Sequence, residues 1–384
     1  MKPCRIAIFG STGSIGLNTL KVVDQHPGRF QVVALSAYNN YKLLEAQVRK
    51  YKPSHVAVGF EGLAYFKSSG IKGVKLYPAV ECAAIASLKE VDVVVLAISG
   101  VGALMPFLAA LRAGKTVAPA NKEALVIAGD LIMDEARKHH ARIIPIDSEQ
   151  SAIFQCLEGQ RSKPVFVHLT ASGGPLRQVP LKDFIRMTPK DILRHPRWKM
   201  GPKITVDSAT LMNKGFEIIE ARHLFNLNCS QIKVLVHPQA IIHSMVEFAD
   251  GSMLAQLGIT DMRLPIQYAL TYPERIPTGL KSLDLAKLGK LDFQKPDLKR
   301  FPCLRLAVDA ACRAGTLPAV LNAADEIAVE AFLREEIDFI SIYKVVEKVV
   351  LRHTIVNDPS LAGILQADEW ARQEAKNILE KLCH

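Results

Sequence analysis

Arg5-Ile6-Ala7-Ile8-Phe9-Gly10-Ser11-Thr12-Gly13-Ser14-Ile15-Gly16 is the stretch from which the remaining chain is read. An apolar run enters three glycines at three-residue spacing, which reads as a buried strand, a tight turn and the start of a helix. Glycine lets the backbone turn sharply and brings N–H groups close to a pyrophosphate at the positive helix end. The spacing is not the usual Gly-x-Gly-x-x-Gly, so alone it also suits a plain glycine-rich strand–helix connection. Its surroundings favour the nucleotide reading. Further apolar runs at 31–37, 55–59, 91–98, 116–120 and 142–147 alternate with helical spacings such as Leu43, Leu44, Gln47, Val48 and Tyr51. That alternation predicts βαβ units and a parallel sheet covered on both faces, an α/β Rossmann-like domain over residues 1–150.

The pattern changes downstream. A strand at 164–170, a helix over 208–225, a strand at 232–237 and a hairpin of 242–248 with 253–257 around Asp250-Gly251 predict a central α+β domain over 151–285. Residues 271–302 are rich in Pro and Lys and read as a connector, with 286–302 as the linker proper. Helical patterns near 304–315, 318–336, 339–353 and 367–382 predict a C-terminal helical bundle over 303–384.

Composition narrows the function classes. The 384 residues are 49% hydrophobic and 22% charged, as in a globular protein with several cores. No signal peptide is read at the N-terminus, and the uncharged stretch 93–111 is broken by Ser99-Gly100, Gly102 and Pro106. It therefore reads as strand, turn and helix rather than a membrane span. Seven scattered cysteines show no zinc spacing and suit a reducing cytoplasm. The formal charge of +10 comes without a run of basic residues, which points to an anionic small molecule rather than nucleic acid or a membrane.

Four local constellations carry candidate chemistry. Asp147 and Glu149 follow the last strand of the first domain. In extended backbone, positions i and i+2 share a side, so the two carboxylates are expected to converge as hard donors for Mg²⁺ or Mn²⁺. A solvated acidic loop or an acidic helix start would look the same. Lys214 and Glu217, three apart on the 208–225 helix, share a face with Ser208 and Asn213 near its start. This set is a phosphate grip with a third metal ligand, or a surface ion pair with a capping serine. His195-Pro-Arg-Trp198-Lys-Met200-Gly201-Pro places a Trp and a Met in a Pro/Gly-bounded polar segment, as a lid would, although Trp198 packed beneath a loop is equally compatible. Asn121-Lys122-Glu123 puts a cation at the nicotinamide end of the cleft, or is simply a helix start. The second strand ends Ala37-Tyr38-Asn39-Asn40 without an acid, which favours NADPH over NADH.

Taken in order, these motifs resemble one family over essentially the whole chain. Gly-Ser-Thr-Gly-Ser-Ile-Gly, Ala120-Asn121-Lys122-Glu123, Pro145-Ile146-Asp147-Ser148-Glu149, Ser172-Gly173-Gly174-Pro175, His195-Pro-x-Trp-x-Met-Gly, Val206-Asp207-Ser-Ala-Thr-Leu-Met-Asn-Lys-Gly and Leu321-Asn-Ala-Ala-Asp-Glu326 look like those of 1-deoxy-D-xylulose 5-phosphate reductoisomerases. The resemblance implies a cytoplasmic homodimer that uses NADPH and Mg²⁺ or Mn²⁺ to rearrange and reduce a sugar phosphate, giving 2-C-methyl-D-erythritol 4-phosphate for isoprenoid precursors. It implies Asp147, Glu149 and Glu217 as metal ligands, and Ser172, Ser208, Asn213 and Lys214 as the phosphate grip. Lys122, Ser148 and His195 would contact the oxygen-bearing end of the substrate, with Trp198 and Met200 in the lid. Thr12, Gly13, Ser14, Ile15, Ala37, Asn39, Asn40, Asn121, Glu123 and Gly201 would contact NADPH, and the central domain would carry the dimer contact. The chain departs from the family at Tyr38-Asn39-Asn40, where a Gly-Lys/Arg-Asn is usual; Lys42 is the nearest cation in sequence. Two rivals stand beside this reading: a dehydrogenase that reduces without rearranging the skeleton, and a non-enzymatic NADPH sensor.

Overall fold

The structure, a computed structural model, describes residues 2–194 and 200–382. His195 and Trp198 lie outside them. The chain forms two compact units. One comprises the residues up to Ala124, Asp130–Ser151 and Asp261–Lys281; the other comprises Leu125–Gly129, Ala152–Thr260 and the chain from Ser282.

The first unit is a seven-stranded, wholly parallel sheet: β1 (Cys4–Phe9), β2 (Phe30–Ala37), β3 (His55–Val58), β4 (Lys75–Pro78), β5 (Val93–Leu96), β6 (Thr116–Pro119) and β7 (Arg142–Ile143). Their spatial order is β4-β3-β2-β1-β5-β6-β7. The helices are α1 (Ser14–Gln25), α2 (Tyr41–Tyr51), α3 (Phe60–Ser68), α4 (Cys82–Ala86), α5 (Leu104–Arg112), α6 (Glu123–Lys138) and α7 (Ser148–Leu157), the last two crossing into the second unit. Ile6, Ile8, Phe9, Leu35 and Val94–Leu96 are fully buried, as strands covered on both faces require. Strand β4 escapes the sequence reading because only Tyr77 of its four residues is buried, so it carries no apolar run. The order reverses at β1: strands β2 to β4 are laid to one side of it and β5 to β7 to the other. Parallel sheets open a ligand crevice at the carboxyl ends of their strands where this happens. Helix Arg263–Thr271 packs on α1, and His26 Nε2 lies 2.8 Å from Gln267 Oε1, which ties this late segment to the first unit.

The second unit holds a four-stranded sheet, ordered β11-β10-β8-β9, from β8 (Phe166–Ala171), β9 (Ile232–Val236), β10 (Ile242–Glu247) and β11 (Met253–Leu257). The β10–β11 hairpin is antiparallel, as expected from Asp250-Gly251. Its first helices are α8 (Pro189–Ile192), α9 (Pro202–Thr210) and α10 (Met212–Leu224). Counting Arg263–Thr271 as α11, there follow α12 (Leu285–Leu288), α13 (Pro302–Arg313), α14 (Leu317–Leu333), α15 (Phe339–Arg352) and α16 (Leu361–Glu380). Helix α14 is apolar nearly all round because it lies against α13, α15 and α16 at once. Among the described residues no helix is long and apolar enough to cross a membrane, and the uncharged stretch 93–111 is β5, a turn and most of α5.

The expected single helix over 208–225 is two helices. Leu211 adopts φ +60° and ends α9 before α10 begins. No Gly or Pro marks the break. Ser208 therefore stands in the last turn of α9 and not near a helix start, while Asn213 and Lys214 open α10.

Candidate active site

In the first unit the glycine turn lies at the carboxyl end of β1, beside the switch in strand order. Gly10 has φ +85°, and a Cβ there would meet the Ala97 carbonyl oxygen at 2.3 Å. A Cβ on Gly16 would lie 2.4 Å from Ser11 Cα, so helix α1 rests directly on the turn. Ser11 is buried and exchanges hydrogen bonds with Gln47, its hydroxyl donating to Oε1 and its carbonyl accepting from Nε2. That bond fixes the turn. Gly13 and Ser14 are exposed, Thr12 and Ile15 half-buried, and no side chain caps α1. First-turn amides have no intrahelical acceptor, so this cradle suits a diphosphate.

Beyond β2, Ala37 is buried, whereas Tyr38, Asn39 and Asn40 are exposed. Asn40 caps α2 by accepting from Leu43 N, so its side chain has a structural duty. Residues 38–40, which follow this strand, include no carboxylate.

At the ends of β5 and β6, Asn121 Nδ2 donates to the Ile98 carbonyl at 2.8 Å and to Glu123 Oε2 at 2.7 Å, while its Oδ1 accepts from Ala124 N. Asn121 thus braces the loop after β5 as well as facing the crevice end of the sheet. Lys122 is 6% exposed, and its ammonium lies 2.8 Å from Asp147 Oδ2.

The acidic pair converges as expected, with carboxylate oxygens within 4.8 Å of each other, but on a different backbone. Strand β7 ends at Ile143; Ile144 and Ile146 keep hydrogen bonds to Val117 and Pro119, and the chain then turns into α7. The Asp147 carbonyl accepts from Ser151 N and its Oδ1 from Ser148 N. Glu149 accordingly sits in the first turn of a helix, not two residues along an extended strand, so the i, i+2 argument does not describe it. The helix start, which sequence reading held open, is what forms. Ser148 Oγ donates to Glu149 Oε2 at 2.5 Å. Asp147 Oδ2 is buried without a hydrogen bond of good geometry and depends on the Lys122 ammonium. A hard-oxygen pair balanced by a lysine ammonium is a donor set that fits a hard divalent ion.

In the second unit, Asn213, Lys214 and Glu217 share one face of α10. Asn213 Nδ2 donates to Glu217 Oε1 at 2.6 Å, and the Lys214 ammonium donates to Oε2. The side chains of Lys214 and Glu217 are 4% and 1% exposed, so this is no surface pair. Ser172, whose Oγ accepts from Gly174 N, begins a loop whose two glycines both have positive φ. A Cβ on Gly174 would meet the Ser208 carbonyl at 2.4 Å, so this loop lies against the end of α9. Gly201 stands at the start of α9 and is exposed; Met200 before it is half-buried.

Sequence reasoning missed the group beneath. Lys203 on α9 reaches Asp207 Oδ2 at 2.6 Å and Asp325 Oδ2, on α14, at 2.7 Å. Asp207 is 2% exposed and Asp325 is fully buried, and one carboxylate oxygen of each lacks a hydrogen bond. Burial and the neighbouring Asp325 carboxylate push the Asp207 carboxyl well above the ordinary aspartate range, while Lys203 pulls the other way. The only signals were Asp207 and Asp325 inside two of the quoted motifs; Lys203 carried none.

Comparison with known proteins gives one answer. Family models described as 1-deoxy-D-xylulose 5-phosphate reductoisomerase, its C-terminal domain, and DXP reductoisomerase C-terminal domain match residues 6–129, 143–225 and 257–374. The 1-deoxy-D-xylulose 5-phosphate reductoisomerase of Moorella thermoacetica is 53% identical over 380 residues, 98% of each chain. That of Heliobacterium modesticaldum is 52% identical over 377 residues, 97% of this chain and 96% of the relative. Among solved structures, a DOX-P reductoisomerase in complex with NADPH, fosmidomycin and magnesium superposes with TM-score 0.94 at 41% identity, covering 99% of each chain. The Zymomonas mobilis enzyme in complex with NADPH superposes with TM-score 0.92, also at 41% identity, covering 98% of this chain and 99% of that one.

Proposed function

Because the chain belongs to the 1-deoxy-D-xylulose 5-phosphate reductoisomerase family, we propose that its candidate residues divide that reaction among binding, positioning and shielding. The protein is an NADP-dependent oxidoreductase that rearranges and reduces 1-deoxy-D-xylulose 5-phosphate to 2-C-methyl-D-erythritol 4-phosphate in isoprenoid precursor synthesis. When bound, NADPH supplies the hydride and Mg²⁺ or Mn²⁺ supplies Lewis-acid polarisation.

Asp147, Glu149 and Glu217 hold the metal; their hard oxygens, and the lysines paired with Asp147 and Glu217, support this. Ser172, Ser208, Asn213 and Lys214 bind the substrate phosphate. Lys122 and Ser148, each touching one of the first two carboxylates, orient the oxygen-bearing end, with His195. Met200 and Trp198 belong to the segment that excludes water. Thr12, Gly13, Ser14 and Ile15 hold the diphosphate of NADPH at the uncapped start of α1; Ala37, Asn39 and Asn40 flank its adenosine ribose, and Asn121, Glu123 and Gly201 its nicotinamide end.

One observation carries the assignment: a lysine and a glutamate are both buried on one turn of α10, with the polar end of α9 immediately before it. Desolvating an ion pair costs several kcal/mol and does little for stability that an apolar pair would not do. Gripping a phosphate there uses remote binding energy to orient the reacting end. We also propose a cytoplasmic homodimer with its contact in the 151–285 region. Support for the dimer comes from β11, an edge strand with Met253 and Leu254 exposed, since bare apolar edges invite pairing with a second copy.

The test follows NADPH oxidation by purified protein with 1-deoxy-D-xylulose 5-phosphate, with and without Mg²⁺, and identifies the product. Metal-dependent formation of the branched product is expected. Glu217→Gln is expected to lower turnover by orders of magnitude with NADPH affinity nearly intact; unchanged turnover at limiting Mg²⁺ would remove Glu217 from the metal set.

A further inference from the structure

A second concavity lies in the second unit, among α13, α15 and the turn 181–186. It encloses about 250 Å³, with walls from Phe184, Phe301, Phe339 and Ile340. The aromatic walls are fixed: Phe184 packs against Phe301 and Phe339 with ring centroids 6.0 and 5.8 Å apart. Arg300 belongs to the wall and is already committed. Its guanidinium lies 5.0 Å from the Phe184 ring and donates to the Leu176 and Val179 carbonyls.

The buried end is formed by Thr210 and Cys303. The Thr210 hydroxyl donates to the Asp207 carbonyl and accepts from Met212 N. Burial holds the Cys303 thiol neutral, well above its ordinary pKa. Neither group calls for a polar occupant. A cavity of about 150 Å³ with apolar walls stays dry and admits benzene, so 250 Å³ corresponds by proportion to roughly ten non-hydrogen atoms.

The open end has the opposite character. Lys299 and Lys344 line it, both are exposed, and neither has an ion-pair partner among the described residues. An apolar interior with unpaired ammonium groups at its entrance is complementary to a molecule built the same way with the opposite charge.

We propose that this cavity is a second ligand site that takes a small amphipathic anion. The apolar body, about ten non-hydrogen atoms, occupies the aromatic-walled interior, and a carboxylate or phosphate head sits at Lys299 and Lys344.

Isothermal titration of the full chain with decanoate, octyl phosphate, octanol and butyrate tests this. Saturable one-to-one binding of decanoate or octyl phosphate is expected, and the tighter of the two identifies the head group. Octanol, lacking charge, and butyrate, lacking length, should bind at least about tenfold more weakly. Ile340→Trp fills the interior and should abolish binding of both anions. The double variant Lys299→Glu/Lys344→Glu changes only exposed positions and should weaken both anions by at least about tenfold while leaving octanol unchanged. Failure of both anions to saturate the wild-type protein at millimolar concentration would overturn the proposal. So would anion binding that survives both the filled interior and the reversed charges.

Discussion

Removing Lys203 should destabilise the second unit by an amount that depends steeply on pH. In Lys203→Met the Asp207 and Asp325 carboxyls remain buried on α9 and α14 with no cation between them. Burial and the neighbouring Asp325 carboxylate hold the Asp207 carboxyl well above the ordinary aspartate range, and Lys203 opposes them. A group raised in the folded state contributes fully below its unfolded value, and its contribution is lost as pH rises toward the folded value. Without Lys203 the carboxyl pair must take up a proton or leave a charge unpaired in the interior. Protonating an aspartate of ordinary pKa costs about 4 kcal/mol at pH 7 and about 1.5 kcal/mol at pH 5, at 1.36 kcal/mol per unit. Leaving the charge buried and unpaired costs about 3–5 kcal/mol, comparable with protonation at pH 7, so protonation is the lower-cost route only at pH 5. Trp370 on α16 reports on this unit in a Trp198→Phe background, since the chain has two tryptophans. Urea unfolding should show the midpoint falling by on the order of 1 M at pH 7 and by well under half of that at pH 5. Adding Asp325→Asn, which needs no proton, should restore most of the loss. An equal loss at both pH values would refute the charge argument. Packing of Lys203 over the Phe216 ring, 4.6 Å from its centroid, would then explain the effect.

Two further outcomes follow from α10 and from the end of β2. A Cβ on Gly215 would meet Ala307 Cβ at 2.2 Å, where α10 crosses α13. Gly215→Ala should therefore cost about 1–3 kcal/mol in urea unfolding and raise KM for the sugar phosphate, because Asn213 and Lys214 shift with the helix. If exposed Tyr38-Asn39-Asn40 flank the 2′-phosphate of NADPH, as proposed, they carry no cation for it, so the ratio of kcat/KM for NADPH over NADH should rise on Asn39→Arg; an unchanged ratio would show that this position does not face the phosphate.

The sequence by itself determined six of the seven strands of the parallel sheet, the glycine turn and the helical bundle. Strands buried on both faces must be apolar runs, amphipathic helices must repeat their apolar positions, and Gly10 and Gly16 stand where any Cβ would strike backbone. All of this is written in neighbouring residues. It also named every residue proposed for the reaction, because those residue types recur in fixed order. It failed wherever the outcome depended on what packs nearby. The fourth C-terminal helix begins at Leu361, ahead of the expected 367, since its first turn is held by Ser360 accepting from Gly363 N. Leu211 breaks a helix with no Gly or Pro, in a left-handed conformation that its own residue type disfavours and its buried surroundings impose. The turn after Ile146 sends Glu149 into a helix rather than along a strand. Lys203 meets Asp325 across 122 residues of sequence, and no local period or spacing encodes that meeting. Tertiary structure alone made two aspartates share one lysine in the interior. Charge compensation depends on distance and dielectric, which exist only once the elements have packed.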